Sequence, residues 1–577
     1  MSTPPISQPP GVARPSRFEP LVRRGHLPLV LLVLALCTLG LWLRLSVPLG
    51  PFYWDTVLYL DGGNRVLSGQ IPSVDFFAPV GALGYWLFAA GLALFPTPQP
   101  LLLAHWMMFA VTLPPFLPLV LRLARDRAGL AWALLLPLLF FQLVPLNVEQ
   151  FSTFPSFDGY GMYNRQVAQV LYVLVATLLF ERRAGPLLFA IAWCCTTLFL
   201  LKITGFIVAG LVCLLAFAAG RVPLRVALGA LGAFVATLAA LELGFGLVSH
   251  YMADILTLVR LNEGGIAGRL VQAASIHFGF VGSGALLLVA LLAMGWTSVC
   301  ARFAALAERR DLASLNAALD QDVVWLAVLL AGGIFFESQN TGDQAFIFLW
   351  PLLLRILSGP EGRRLPILVL AGAVALPPTV NVAHRAARAV IGQVKYVALP
   401  LPDLKILGQV NQRPELVERA QTSLEILGEH EETYTLFADR GLLPFYSLYA
   451  DIDFQATWLL GTDQAVRAIR AFEARNGVRF ETIMTLNFTN PYPYLLDRQA
   501  PRHIAIGADP SRAVPAPDAE TIAAVRATDL ILYPTCPVTP ANMRLRTIYE
   551  AGLVGHHPVE LSPCWIGYVR DALTLRR

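Results

Sequence analysis

The chain has 577 residues, 56% of them hydrophobic and only 14% charged, with a mean hydropathy of +0.59. Soluble domains carry about a quarter charged residues, so this composition excludes an ordinary water-soluble protein. A net charge of +4, with no basic tract or base-stacking motif, argues against a nucleic-acid partner.

Residues 1–26 are Pro- and Ser-rich in their first part and read as a disordered cytoplasmic N-terminus. Arg23 and Arg24 precede the apolar run Leu27–Ser46, and no small-residue cleavage site follows. The run is therefore an uncleaved signal anchor with its N-terminus in the cytoplasm. Further apolar runs follow at Val80–Phe95, Leu101–Leu121, Gly129–Leu146, Val167–Phe180, Leu187–Leu201, Ile203–Ala219 and Val226–Val248. The last four are Phe278–Thr297, Val323–Phe336, Ala345–Leu357 and Leu365–Val380. Hydrocarbon about 30 Å thick asks for helices of about this length.

If every run crossed, the arginine-rich connections from Arg122 and from Glu181 would lie outside, against the preference for arginine on the cytoplasmic side. Val80–Phe95 is the weakest early run, interrupted by Gly81, Gly84 and Gly91 and bounded by Pro79 and Pro96. If it makes no net crossing, the connections at 122–127, 181–185, 221–225, 302–310 and 361–364 all become cytoplasmic. The sparsely basic loops at 147–165, 249–277 and 337–344 then all fall outside. The expected fold is thus mainly α. A polytopic helical membrane domain, residues 27–383 with about eleven crossings and a first outer loop at 47–100, sits in the cell (inner) membrane. A small extracytoplasmic α/β domain, residues 384–577, completes it.

In that last domain TYTLFAD, ETIMTLNF, HIAIG and DLILYP read as strands, alternating with helices over DQAVRAIRAFEARNG and DAETIAAVRA. No Gly-rich phosphate loop opens a helix there. Cys536 and Cys564 are placed to form a disulfide if the domain faces an oxidising compartment, whereas the other five cysteines lie in or beside apolar spans.

Polar residues at the outer face are the candidates for chemistry. The first loop carries Asp55, Asp61 and Asp75 among aromatics, where an unpartnered carboxylate is costly. Asp55 to Asp61 fits a short interfacial helix with Tyr59 one turn after Asp55, and Asp61 before Gly62-Gly63 fits a cap or turn. The second loop, FDGYGMYNRQ, offers Asp158, Tyr163, Asn164 and Arg165. Lys202 emerges between two short runs, where it either snorkels to headgroups or meets a phosphate. Arg269, with Arg260 and Glu263, and the cluster of Glu337, Gln339, Asn340 and Asp343 occupy later outer loops. Amides and carboxylates of this kind suit sugar hydroxyls, and ordinary polar turns are the plainer reading.

The first loop resembles that of the GT-C superfamily of membrane glycosyltransferases, which includes protein O-mannosyltransferases, aminoarabinose transferases and oligosaccharyltransferase catalytic subunits. The resemblance rests on Trp54-Asp55, Tyr59 four residues later, the stretch G-x-x-P-x-x-D-F from Gly69 to Phe76, and the following APVGALGYW. Val80-Gly81 replaces two prolines common among relatives. LLKITG, from Leu200 to Gly205, resembles the lysine-containing segment of polyprenyl-phosphate-dependent members.

This resemblance implies an inverting transfer from a polyprenyl-phosphate sugar to a glycan, lipid or protein acceptor on the outer face. Asp55 would be the general base. Lys202, Arg165 and Arg269 would hold the donor phosphate, and Asp75, Asp158, Tyr59, Tyr163, Glu337 and Asn340 would be binding or accessory groups. No cofactor is required. An acidic residue in this second loop helps bind a divalent metal in the oligosaccharyltransferases, whereas the mannosyl and aminoarabinosyl types are thought not to need one for catalysis, so a metal at Asp158 stays open. A transporter or flippase of lipid-linked sugars, or a non-catalytic partner in envelope assembly, would share the apolar spans. Against a transporter stand the missing inverted repeat and the gathering of carboxylates in one loop.

Overall fold

The computed structural model describes residues 24–262, 265–338, 346–360, 362, 364–444 and 451–573. Helix dominates, with a small sheet region near the C-terminus. After α1 (His26–Trp42) and the short strand β1 (Val47–Pro48) come α2 (Trp54–Leu67) and α3 (Leu83–Leu94). These two pack closely: a Cβ on Gly62 would lie 2.3 Å from the Tyr85 ring, and one on Gly84 would lie 3.0 Å from Tyr59. Gly62 and Gly63 therefore serve helix packing inside α2 rather than a turn after Asp61. At 1.5 Å per residue α3 is about 18 Å long, too short for a bilayer core.

The chain continues through α4 (Pro100–Trp106), α5 (Phe109–Asp126), α6 (Ala128–Leu143), α7 (Met162–Phe180), α8 (Ala184–Leu201), α9 (Ile203–Ala218) and α10 (Leu224–Phe245). Next are α11 (Leu247–Leu261), α12 (Ile266–Ile276), α13 (Phe278–Arg309), α14 (Leu312–Leu319), α15 (Asp322–Glu337), α16 (Trp350–Ser358) and α17 (Leu365–Gly392). Among the described residues five segments are long and apolar enough to cross a membrane: Pro100–Asp126, Ala184–Leu201, Leu224–Phe245, Phe278–Arg309 and Leu365–Lys395. The pair α14 and α15, bent by 64°, makes a sixth if taken as one span. The helices at His26–Trp42, Ala128–Leu143, Ile203–Ala218 and Ile347–Ser358 are apolar but shorter. Leu214, Leu243, Leu286, Trp296 and Val380 point outward. An apolar exterior on helices that satisfy their own backbone suits a bilayer.

Helix α7 is the axis of the bundle, with every residue from Asn164 to Leu179 buried. It ends at Glu181, which is held by Arg122 (3.2 Å) and Arg183 (2.9 Å). Nearby, Arg221 donates to the Leu179 carbonyl at 2.8 Å and pairs with Asp320. Arg355 pairs with Asp320 (3.0 Å) and Asp322 (2.7 Å). The connections after α5, α7, α9 and α14 thus meet at one polar end. Arg165, sixteen residues before Glu181 on α7, lies about 24 Å from it at helical rise, at the opposite end.

The change in composition near residue 384 falls inside α17, which runs on to Gly392. Beyond it, β2 (Val397–Ala398) and β3 (Val410–Gln412) join β1 in a sheet of order β1-β3-β2, with Val47 opposite Val410. Helices α18 (Pro414–Glu429), α19 (Glu431–Asp439) and α20 (Ile452–Asn476) lead to the second sheet. It comprises β4 (Ile483–Thr485), β5 (Leu530–Pro534), β6 (His556–Ser562) and β7 (Trp565–Arg570), in the order β4-β5-β7-β6. The helices between its strands are α21 (Tyr492–Leu496), α22 (Ala519–Ala527) and α23 (Pro540–Ile548).

The expected strands in ETIMTLNF and DLILYP form as β4 and β5, but two others do not. TYTLFAD is helical in α19, where Glu431 and Glu432 sit in the first turn and complement the helix dipole. HIAIG is irregular, tied instead to the first loop by the His503 N–H bond to the Asp75 carbonyl (2.6 Å). The disulfide Cys536–Cys564 is present, joining the exit of β5 to the turn between β6 and β7.

Candidate functional site

The site is assembled where two loops and the C-terminal domain meet the first turn of α7. Loop 157–161 runs alongside the chain entering α2 through three hydrogen bonds. Phe157 N–H donates to the Pro48 carbonyl (3.2 Å), Gly159 N–H to the Pro51 carbonyl (3.1 Å), and Gly161 N–H to Asp55 Oδ2 (3.2 Å). Both glycines are needed. A Cβ on Gly159 would stand 2.4 Å from the Phe52 carbonyl oxygen, and Gly161 has φ +59°, which favours glycine.

Asp55 is half-buried in the first turn of α2. Burial pushes its carboxyl up to about 7, a rise opposed by the Gly161 N–H, Arg165 and Arg512 and reinforced by Asp158. No arginine or lysine among the described residues pairs with it directly. A carboxylate with a pKa near neutral is a far better proton acceptor than an ordinary one.

Lys202 occupies the break between α8 and α9, with an extended backbone (φ −164°, ψ 124°). The first loop seats on this break: a Cβ on Gly81 would lie 2.4 Å from the Leu200 carbonyl oxygen. The first loop and the lysine segment are therefore in contact. Lys202 does not snorkel. It is only 8% exposed, donates to Asn164 Oδ1 (2.6 Å), and lies 5.1 Å from the centre of the half-buried Tyr163 ring. Asp55 and Lys202 thus both touch the opening turn of α7, through Gly161 and through Tyr163 and Asn164.

Other expected site residues have structural places. Arg165 is fully buried and bonds the carbonyls of Asp158 and Tyr160, each at 3.0 Å, as well as the Asp158 carboxylate. It braces the loop from behind instead of facing a donor phosphate. Asp158, also fully buried, accepts from the Asn147 N–H (2.9 Å) and lies between Arg165 and Arg385. Two guanidiniums occupy the surroundings a cation would need. Tyr59 is buried, its hydroxyl donating to Gln166 Oε1 (3.1 Å), which fastens α2 to α7. Asp61 pairs with Arg65 one turn later (2.9 Å).

Asp75 accepts from the Ile71 N–H (2.7 Å) and pairs with Arg502 (2.8 Å), so it closes its own turn and clasps the C-terminal domain. Glu337 is fully buried against His277 (3.2 Å), inside the protein rather than on a surface a sugar touches. Arg269 donates to the Asn262 carbonyl (2.7 Å), and the Asn262 amide in turn donates to the Arg512 carbonyl (2.9 Å). Arg269 therefore supports the site's rim. Asn340 and Glu263 lie outside the described residues.

Arg512 is the candidate site residue that sequence reasoning missed. Its side chain is half exposed, pairs with Asp509 (2.7 Å), and acts electrostatically on Asp55, Tyr160 and Tyr163. The C-terminal domain brings it there by docking on the first loop. Trp54 N–H donates to Gln455 Oε1 (3.1 Å), Arg65 to the Pro501 carbonyl (2.7 Å), and Gln70 to the Ala500 carbonyl (2.8 Å). The one local signal is Asp509-Pro-Ser-Arg512, a turn-forming stretch in which Asp509 accepts from the Ser511 N–H (2.9 Å).

The arrangement sets a carboxyl raised to about 7, a buried ammonium and a half-exposed guanidinium around the opening turn of α7. Comparison of the chain with protein-family models, with curated proteins and with solved structures returns no match.

Proposed function

We propose that the protein is an inverting membrane glycosyltransferase of the GT-C type, transferring a sugar from a polyprenyl-phosphate donor to an acceptor on the outer face. The observation that carries this reading is Asp55, a half-buried carboxyl pushed up to about 7 beside the first turn of α7, with Arg165 and Arg512 acting on it. Its position in the W-D motif of the first loop adds the resemblance to the chemistry.

In the reaction, the acceptor hydroxyl attacks the anomeric carbon and Asp55 takes its proton. The anomeric carbon's bond to the phosphate oxygen breaks on the opposite face, and polyprenyl phosphate leaves with the electron pair. Lys202 and Arg512 offset the charge that builds on that phosphate, as preorganised cations do for leaving oxyanions. Arg165, Asp158 and Arg385 keep the loop that holds Asp55 in place, and no metal enters the scheme.

We further propose eleven passes through the membrane, with α2 and α3 lying in the outer loop. The arginine-bearing connections at 122–127, 181–185 and 221–225 meet at one end, and the preference of arginine for the cytoplasmic side supports that count with this end inward.

The test is reconstitution in vesicles with a panel of polyprenyl-phosphate sugars, guided by the glycan lost when the protein is removed from its host. Formation of a new glycosidic bond is expected. Movement of the lipid-linked sugar between leaflets without bond formation would make the protein a flippase.

A further inference from the structure

Beside Asp55, on the same helical turn, Trp54 forms one wall of an open pocket between α2 and the C-terminal domain. Trp458 of α20 and Trp565 of β7 line it with Trp54, and Asn487 and Asn542 supply amides. None of its lining residues is charged. The indoles are held in place: Trp565 Nε1 donates to the Gly461 carbonyl (2.9 Å), and Trp54 packs 5.4 Å from Phe488. The disulfide Cys536–Cys564 lies in the wall and fixes the β5 exit against the β6–β7 turn.

Two donors point to what the pocket takes. Asn487 Oδ1 accepts from the Phe488 N–H (2.8 Å) and from Asn542 (3.2 Å), which leaves its amide nitrogen without a partner among the described residues. The indole N–H of Trp458 is likewise unpartnered among them. An uncharged wall gives a phosphate no cation and an amine no carboxylate. Flat indoles match the C–H face of a pyranose ring, and neutral N–H groups match its hydroxyl and ring oxygens.

We infer that this pocket binds a neutral sugar residue of the acceptor, making the acceptor a glycan held next to the base. The inference rests on the transferase reading for the occupant's role, but not for its chemistry. Saturation-transfer NMR on the full chain in nanodiscs, with neutral gluco-, manno-, galacto- and arabino-oligosaccharides, tests it. At least one should bind. Trp458→Ala and Asn487→Asp should each weaken it at least tenfold, while Asp55→Asn binds as wild type. Asn487→Asp keeps an oxygen that accepts from Phe488 and Asn542 and puts a carboxylate oxygen in place of the pocket donor, so it reports even if Trp458→Ala misfolds.

Binding of no oligosaccharide, or equal binding by Asn487→Asp, overturns the pocket assignment, as does binding of acceptor peptides alone. If the pocket binds sugar as expected yet no donor yields a glycosidic bond, the transferase reading fails and the pocket stands. If Asp55→Asn abolishes transfer but no oligosaccharide binds, the reverse holds.

Discussion

The two polar ends of the helical bundle treat their carboxylates differently. At the end where α7 finishes, Glu181 is held by Arg122 and Arg183, Asp320 by Arg221 and Arg355, and Asp322 by Arg355. At the other end Asp158 is matched in the same way, by Arg165 and Arg385. Asp55, one loop away from Asp158, instead has a single peptide N–H, with cations acting at longer range. The presence of charge marks neither end as a site. What distinguishes Asp55 is a carboxylate that burial destabilises and that no arginine among the described residues pairs with directly, which leaves it able to take a proton.

The largest effect that would sharpen this contrast is expected at Asp55. Asp55→Asn should lower the rate of sugar transfer by about 10²–10⁴, the usual worth of a positioned base, with little change in thermal unfolding in detergent. At its neighbour the balance should invert. Asp158→Ala leaves Arg165 and Arg385 facing each other in the interior and should destabilise the protein by about 3–5 kcal/mol in unfolding measurements. An Asp158→Ala protein that melts like wild type would erase the distinction between the two aspartates. Lys202→Met should reduce turnover by about 10²–10³, as loss of one preorganised donor to a developing anion does, seen in kcat more than in acceptor KM. At the arginine-rich end, Arg183 is half exposed and Glu181 keeps Arg122, so Arg183→Ala should shift stability by no more than about 1 kcal/mol.

Much of this was legible in the sequence where local chemistry decides it. Apolar runs marked the long helices, the W-D-x-x-x-Y spacing placed Asp55 and Tyr59 on one short helix, and two cysteines in a polar domain marked the disulfide. What was not legible depends on contacts far apart in the chain. Asp75 looked like a sugar ligand because Arg502, its partner, lies hundreds of residues away. Arg165 and Asp158 resembled phosphate and metal groups until the fold buried them against each other and added Arg385 from α17. Gly62-Gly63 read as a turn because their real use, the close approach of Tyr85 and Phe88, is tertiary. TYTLFAD has the β-prone residues of a strand, yet it forms a helix with Leu436 and Phe437 exposed. Arg512 carried no mark beyond a turn sequence, since only docking of the C-terminal domain on the first loop brings it to Asp55.

The most direct test of the central claim is the pH dependence of transfer by the reconstituted protein with saturating donor. Asp55 acts as a base only when deprotonated, and its carboxyl is pushed up from 3.8 to about 7. The rate should therefore climb tenfold per pH unit below that value, reach half its plateau near pH 7, and lose this limb in Asp55→Asn. A rate that is flat between pH 5 and 8, or a limb that survives in Asp55→Asn, would contradict the assignment of Asp55 as the base.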